Sequence, residues 1–351
     1  MNHHIKKKEF SEIDINDCFF QSLKDDYPGF EQWFSKKAKK GETAFVLYND
    51  YNTLDGFLYL KIEKDIVTDV VPNILADSLL KVGTFKINAH GTKLGEQFIK
   101  IILDYAVASS VNLCYVTIFP KHNSLIKLVE KFGFEFYGTK GLSSNKENVY
   151  VKKLNSLTGN ILKDFPLVDS RNKNKYILGI YPKYHTIMFP DSILTTENKD
   201  IIKDVSYTNS IHKIYVCGMR NVENLKYGDI LVVYRTAENN KSAEYNSVAT
   251  SICVVEEVRQ QNEFVDFEDF YNYAKQYTVF DKNELFEYYK YGNLKAIKMT
   301  YNIALSKRLT RSTLINEVNI PREGYWGFKE ISDLQFNRII NLSKVNPNLI
   351  I

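Results

Sequence analysis

Between a strand-like run and a helical one stands the stretch Asn88-Ala89-His90-Gly91-Thr92-Lys93-Leu94-Gly95-Glu96. The first turn of a helix at such a junction presents unpaired backbone N–H groups and the positive end of its dipole, which together hold phosphate oxygens. Glycines there let phosphates approach the backbone closely. The signal is weak by itself, since a plain strand-to-helix connection also carries glycines. Glu96, in that first turn, complements the dipole and could also act as a base through a water. Cysteine chemistry has little footing. Cys18, Cys114, Cys217 and Cys253 are far apart and form no C-x-x-C pair, which argues against zinc and disulfides and favours a reducing cytoplasm.

Charge separates the chain by kind more than by sum. The net charge is +4, and all eight arginines lie beyond residue 155. Neither half has the basic surplus of a non-specific nucleic-acid binder. Arginine suits phosphate forks and base edges better than lysine, so its confinement to the second half is suggestive, and compositional drift explains it equally well. One stretch, Lys295 to Asn316, contains no acid; it carries Lys295, Lys298, Lys307, Arg308 and Arg311 with Tyr301 among them. That interleaving suits phosphate contacts beside a stacking ring, or a solvated face beside a core tyrosine. The acidic stretch Glu256–Asp269 is expected to face away from any nucleic acid. Tyr325-Trp326-Gly327-Phe328 reads first as core and second as a base-stacking edge.

The elements that must position these residues form two groups. A chain of 351 residues suggests two domains, and 44% hydrophobic with 25% charged residues excludes wholesale disorder. No apolar run is long enough to span a bilayer, and the basic N-terminus lacks the apolar stretch of a secretory signal. Strands are expected at 43–48, 55–62, 79–87, 113–119, 134–137 and 148–151. Phe98, Ile101, Ile102, Tyr105 and Ala106 recur at helical spacing, and a second helix carries Leu125, Leu128, Val129 and Phe132 until Gly133 stops it. Residues 155–175 lose periodicity and gather Asn, Ser, Gly, Asp and Lys, which marks a linker. Beyond it, short β-branched strands with helices at 267–276, 282–289 and 332–342 suggest a small β-barrel with helical decoration.

The order of elements over residues 5–154, ending in Lys131-Phe132-Gly133-Phe134-Glu135, resembles the Gcn5-related N-acetyltransferase (GNAT) family. The resemblance implies acetyl-CoA as cofactor, its pantetheine arm lying between two splayed parallel strands, Leu79–Ile87 and Leu113–Phe119. It implies contacts from Phe85, Lys86 and Ile87, and a pyrophosphate loop aligned on His90, Gly91, Thr92, Lys93, Leu94 and Gly95. The family's Arg/Gln-x-x-Gly-x-Gly/Ala pattern keeps its second glycine as Gly95; its first is Lys93 and its leading residue is His90. His122 takes the place of the family's Asn and Val129 that of its Tyr, so the usual general acid is missing. Protonation of the thiolate would then fall to His122, Tyr115, Tyr137 or water, with Glu96 as base.

The segment Gly218 to Arg235, with Gly228-Asp229 feeding Ile230-Leu231-Val232-Val233-Tyr234, resembles the PUA-like superfamily, including its ASCH and EVE branches. Tyr181–Asp191 would be its first-strand region. The Gly-x-Lys-x-x-Glu-x-Arg signature of the hydrolytic ASCH branch is absent, so hydrolysis is not expected. This resemblance implies binding of RNA or modified nucleobases, with Arg220, Arg235, Lys307, Arg308 and Arg311 as the expected contacts.

The fold class expected is therefore α/β (α+β). Residues 1–154 would be a GNAT-like mixed sheet with flanking helices, residues 155–175 a linker, and residues 176–351 a PUA-like small β-barrel with inserted helices. The function expected is acetyl-CoA-dependent N-acetylation of an RNA-type amine, aminoacyl-tRNA or nucleobase, in the cytoplasm, with a toxin role as one expression of it. Two alternatives stand beside it. One is a catalytically degenerate binding or regulatory protein of a toxin–antitoxin or defence system, with a cognate protein partner; the other is a protein N-acetyltransferase. No membrane or metal partner is expected.

Overall fold

The structure is a computed structural model describing residues 5–88, 93–141, 146–190, 210–238 and 241–351. The chain divides into two compact units, Met1–Leu154 and Asn155–Ile351. It is mixed α/β, with one mixed sheet in each unit. No helix among the described residues is long and apolar enough to cross a membrane.

The first unit contains strands β1 (Lys6–Glu9), β2 (Thr43–Tyr48), β3 (Leu54–Glu63), β4 (Val70–Val71), β5 (Leu79–Ile87), β6 (Leu113–Ile118), β7 (Glu135–Lys140) and β8 (Glu147–Lys153). They are ordered β1-β2-β3-β5-β6-β8-β7-β4, and β5–β6 is the parallel pair. Helices α1 (Gln21–Asp26) and α2 (Phe30–Lys39) precede β2. They pack an aromatic core in which the Phe10 ring lies 4.8 Å from Phe34 and Phe20 lies 5.2 Å from Phe57. Helix α3 (Leu94–Ala108) buries Phe98, Ile99, Ile102, Leu103 and Ala106, a face turned slightly from the one the spacing suggests. Helix α4 (Asn123–Lys131) buries Val129 and leaves Leu125 and Leu128 half-exposed.

The second unit contains β9 (Lys175–Ile180), β10 (His212–Cys217), β11 (Ile230–Arg235), β12 (Val248–Gln260), β13 (Lys295–Thr310) and β14 (Phe328–Ile331). Their order is β10-β13-β12-β11-β9-β14, with β9 parallel to β11. The long β12–β13 ladder shifts register at three places, and such bulges bend a sheet and increase its twist. Residues 155–175 belong to this unit: Phe165, Leu167 and Val168 are buried, and Val168 exchanges backbone hydrogen bonds with Leu349 and Ile351.

One sequence expectation changes here. Residues 182–188 form a helix rather than a first strand, because Pro182 sits at its opening position, where the missing N–H costs nothing. The strand precedes it, at Lys175–Ile180. The acidic stretch, expected to face away from any nucleic acid, pairs with the basic one. Glu257 lies opposite Lys298 in the β12–β13 register, and the Lys298 ammonium is 3.3 Å from Glu256 and 3.8 Å from Glu257.

Candidate active site

The site begins with a glycine in a strand. Tyr59 of β3 pairs with Thr84 while Leu60 pairs with Val82, so Gly83 is an extra residue on β5, a β-bulge. A Cβ on Gly83 would meet the Tyr59 ring at 2.7 Å, so only glycine allows this close approach. The parallel ladder between β5 and β6 runs from Leu80–Cys114 to Val82–Val116 and ends at the bulge. Beyond it β5 stays paired to β3 as far as Ile87, and β6 stays paired to β8 as far as Ile118. The two strands part between Gly83–Ile87 and Thr117–Ile118. Alternate backbone groups of β5 there face the gap, where they can donate to a carbonyl oxygen.

Two cavities occupy the opening. One of about 420 Å³ is lined by Gly83, Thr84, Phe85, Thr117, Tyr27 and Glu147, among others. The second, of about 400 Å³, is lined by Phe85, Lys86, Ile87, Lys121, Asn123 and Leu128. Leu23, Phe85, His122 and Leu125 border both, so the two are adjoining parts of one cleft. The half-exposed apolar face of α4 forms a wall of it.

His122 stands at the junction of the two cavities, with a side chain 42% exposed. Its Nε2 is 3.0 Å from Asp26 Oδ2, and Lys121 pairs with the other oxygen of that carboxylate. Burial alone would raise the Asp26 carboxyl; the hydrogen bonds from Lys121 and His122 outweigh it and hold the group below its ordinary range. A carboxylate fixing one imidazole nitrogen orients the ring. Lys86 is tethered away from the gap: its ammonium donates to Ser22 Oγ at 2.6 Å and to the Phe19 carbonyl, and burial lowers its pKa.

The remaining expected residues scatter. His90, Gly91 and Thr92 lie outside the described residues. Lys93 is the N-cap of α3, and Leu94 and Gly95 open the helix. Gly95 has a packing reason to be glycine, since a Cβ there would meet Leu128 at 2.7 Å and Ile87 at 3.2 Å. Glu96 is buried in α3 and is not among the residues lining the cleft. Tyr137 does not line it either; its hydroxyl donates to the Asn73 carbonyl at 2.8 Å. Tyr115 is buried, donates to Glu63 at 2.7 Å, is pushed well above an ordinary phenol by burial and that carboxylate, and is not among the residues lining the cleft. Val129 is core.

Sequence reasoning missed Glu147. It opens β8 and is 8% exposed, and its Oε1 accepts hydrogen bonds from Tyr27 Oη at 2.7 Å and Thr117 Oγ1 at 3.1 Å. No local pattern signals it, because its partners are 120 and 30 residues away.

In the second unit a cavity of about 550 Å³ is walled by Tyr181, Tyr215, Tyr288, Tyr325 and Trp326, with Arg311 beside them. The Arg311 guanidinium lies 4.4 Å from the Trp326 ring centroid. The other expected nucleic-acid contacts do not join it. Arg235 is 4% exposed and bonds Glu238 at 3.3 Å; with Arg308 it helps burial push His185 down to about 3. Arg220 and Lys307 are exposed but do not line the cavity. Lys295 and Tyr301 point inward. The strand is covered on both faces here, since every residue from Lys295 to Ile303 except Lys298 is buried. Burial raises Cys217 to about 11 and Cys114 to about 12, which makes thiol chemistry remote at those two positions.

No sequence family and no curated protein matches the chain. Among solved structures, ASCH from Zymomonas mobilis is similar at 7% identity, covering 48% of this chain and 94% of its own, with a TM-score of 0.34. Arabidopsis thaliana Naa50, solved with the bisubstrate analogue CoA-Ac-MVNAL, is similar at 18% identity over 42% of this chain and 98% of its own, TM-score 0.31. An IAA acetyltransferase from Bacillus cereus is similar at 10% identity over 43% of this chain and 99% of its own, TM-score 0.32. The solved structures similar to this chain thus include the two kinds its sequence resembles, each over about half its length.

Proposed function

We propose that the first unit is an acetyl-CoA-dependent N-acetyltransferase and that the second brings it an RNA-type amine. One observation carries the reading: the β5–β6 ladder stops at Val82–Val116, and a cleft with an apolar wall and free strand edges opens beyond it. Such a slot fits an extended, amide-bearing arm that pairs with a strand edge, and Gly83–Ile87 with Leu125 would hold it. Bound there, acetyl-CoA supplies an activated acetyl thioester. The backbone of β5 polarises its carbonyl, and His122, oriented by Asp26, borders the space where the sulfur would lie. The aromatic cavity beside Arg311 supports the RNA part, since rings stack bases and a guanidinium meets phosphate. Acetylation of aminoacyl-tRNA would withdraw it from elongation, which is the toxin form of this reading.

The test uses acetyl-labelled acetyl-CoA, the full chain and a cell extract divided into RNA and protein. Label in RNA supports the reading. Label in protein alone moves the acceptor to a lysine or N-terminus. The buried Val129, which has no proton to give, favours a second reading, a binding module. Acetyl-CoA binding without transfer to either fraction would identify it.

A further inference from the structure

Glu147 is a buried carboxylate with one oxygen engaged and one unused. Tyr27 and Thr117 both donate to Oε1, and Oε2 has no hydrogen-bond partner among the described residues. Glu147 Oε2 is not one of the fully buried atoms left without a partner, so it is open to the cavity, and a charge held in a partly enclosed cleft is screened less than one on an open surface. The residue lines the larger of the two cavities of the cleft, which Tyr27, Phe30 and Trp33 also line; of these, Tyr27 touches it directly. A carboxylate amid aromatic faces suits an organic cation, which takes an ion pair from one and cation–π attraction from the others. Two lysines share that cavity, Lys81 and Lys140, and each has another carboxylate: Glu63 at 3.7 Å and Asp69 at 2.7 Å. Among the described residues neither ammonium forms an ion pair with Glu147.

We propose that Glu147 selects the acceptor as a protonated aliphatic amine, the α-ammonium of an aminoacyl group, and takes its proton. An exocyclic nucleobase amine is neutral, so it could donate a hydrogen bond but would leave the carboxylate's charge unpaired and has no ammonium proton to give. This rests on the acetyltransferase reading above. The step balances as follows: the ammonium gives one proton to Glu147 Oε2, which passes it to solvent. The freed nitrogen lone pair attacks the thioester carbonyl carbon, the C–N bond forms, and the C–S bond breaks with its electron pair on sulfur. The second nitrogen proton reaches the thiolate through water or His122. Tyr27 is a positioning residue, holding Oε1 so that Oε2 faces the cavity.

The experiment compares wild type, Glu147→Gln and Tyr27→Phe on two RNA preparations: native total RNA, and the same RNA stripped of aminoacyl groups by mild base. Acetyl-CoA binding is followed in parallel by calorimetry. Expected are label in native RNA, none in stripped RNA, and about a 100-fold or greater loss in Glu147→Gln at neutral pH with acetyl-CoA affinity unchanged. The loss should narrow as pH rises from about 7 to 9, because a growing fraction of neutral amine replaces the base. A purely structural role would not move that profile. Tyr27→Phe should lose less than Glu147→Gln. Equal label in stripped RNA overturns the proposal. So does an unchanged rate and pH profile in Glu147→Gln while the wild type transfers. Label only in protein, lost in Glu147→Gln, overturns the RNA reading and supports the ammonium assignment. A wild type that labels nothing overturns both.

Discussion

Val82 and Val116 are the last paired residues of two parallel strands that continue beyond them without pairing. The cause is on the other edge of β5, where Gly83 bulges against Tyr59. A bulge that redirects one strand while its neighbour stays straight opens a sheet from within, and the cleft follows from that one residue.

Gly83→Val should therefore damage stability and binding together. Its added carbons meet the Tyr59 ring, a rigid obstacle, at a cost of about 1–3 kcal/mol. Urea unfolding should show the lower midpoint, and calorimetry a loss of acetyl-CoA affinity larger than for a surface control such as Lys64→Ala.

Lys93 and Gly95 should separate two roles that look alike in the sequence. Gly95→Asp drives a side chain into Leu128 and should destabilise the unit by about 1–3 kcal/mol with or without ligand. Lys93→Glu, at the N-cap of α3, should weaken acetyl-CoA binding by setting a negative charge near phosphate while moving the unfolding midpoint little.

Asp26 should make stability fall in acid. Its folded pKa is depressed, so its contribution is complete above the unfolded value of about 3.9 and is lost as pH falls through the lower folded value. Asp26→Asn should abolish that part of the slope in urea midpoints followed between about pH 5 and 2. At neutral pH the same variant should slow transfer, because His122 loses the carboxylate that orients it.

In the second unit, Arg311→Ala should lower the slope of RNA affinity against salt by about one counterion, while costing about 0.5–1 kcal/mol of stability from the lost Trp326 stacking. Arg235→Ala should do the reverse. That buried side chain should cost folding stability and leave the salt slope of the folded fraction unchanged.

What the sequence determined by itself was local. Periodicity located α3 and the strands β2, β3, β5, β6, β7 and β8, but not the short β1 and β4, because burial of one face is written at intervals of 3.6 or 2 residues. The last helix, read at 332–342, is there as Asp333–Leu342 with Ser332 capping it, and the resemblance of Gly133-Phe134 placed Val129 where an acid was expected, which its burial explains. Tertiary structure alone decided the rest, since it concerns pairs far apart in the chain. Glu147 meets Tyr27 across 120 residues, and Asp26 meets His122 across 96. The acid-free stretch at 295–316 finds its acids on a neighbouring strand, Glu256 and Glu257 beside Lys298. Even the meaning of a glycine was non-local: Gly95 is glycine for Leu128, and Gly83, which no motif marks, is glycine for Tyr59. A spacing rule sees one chain segment at a time; a carboxylate's charge and a Cβ's clash are set by whatever the fold brings alongside.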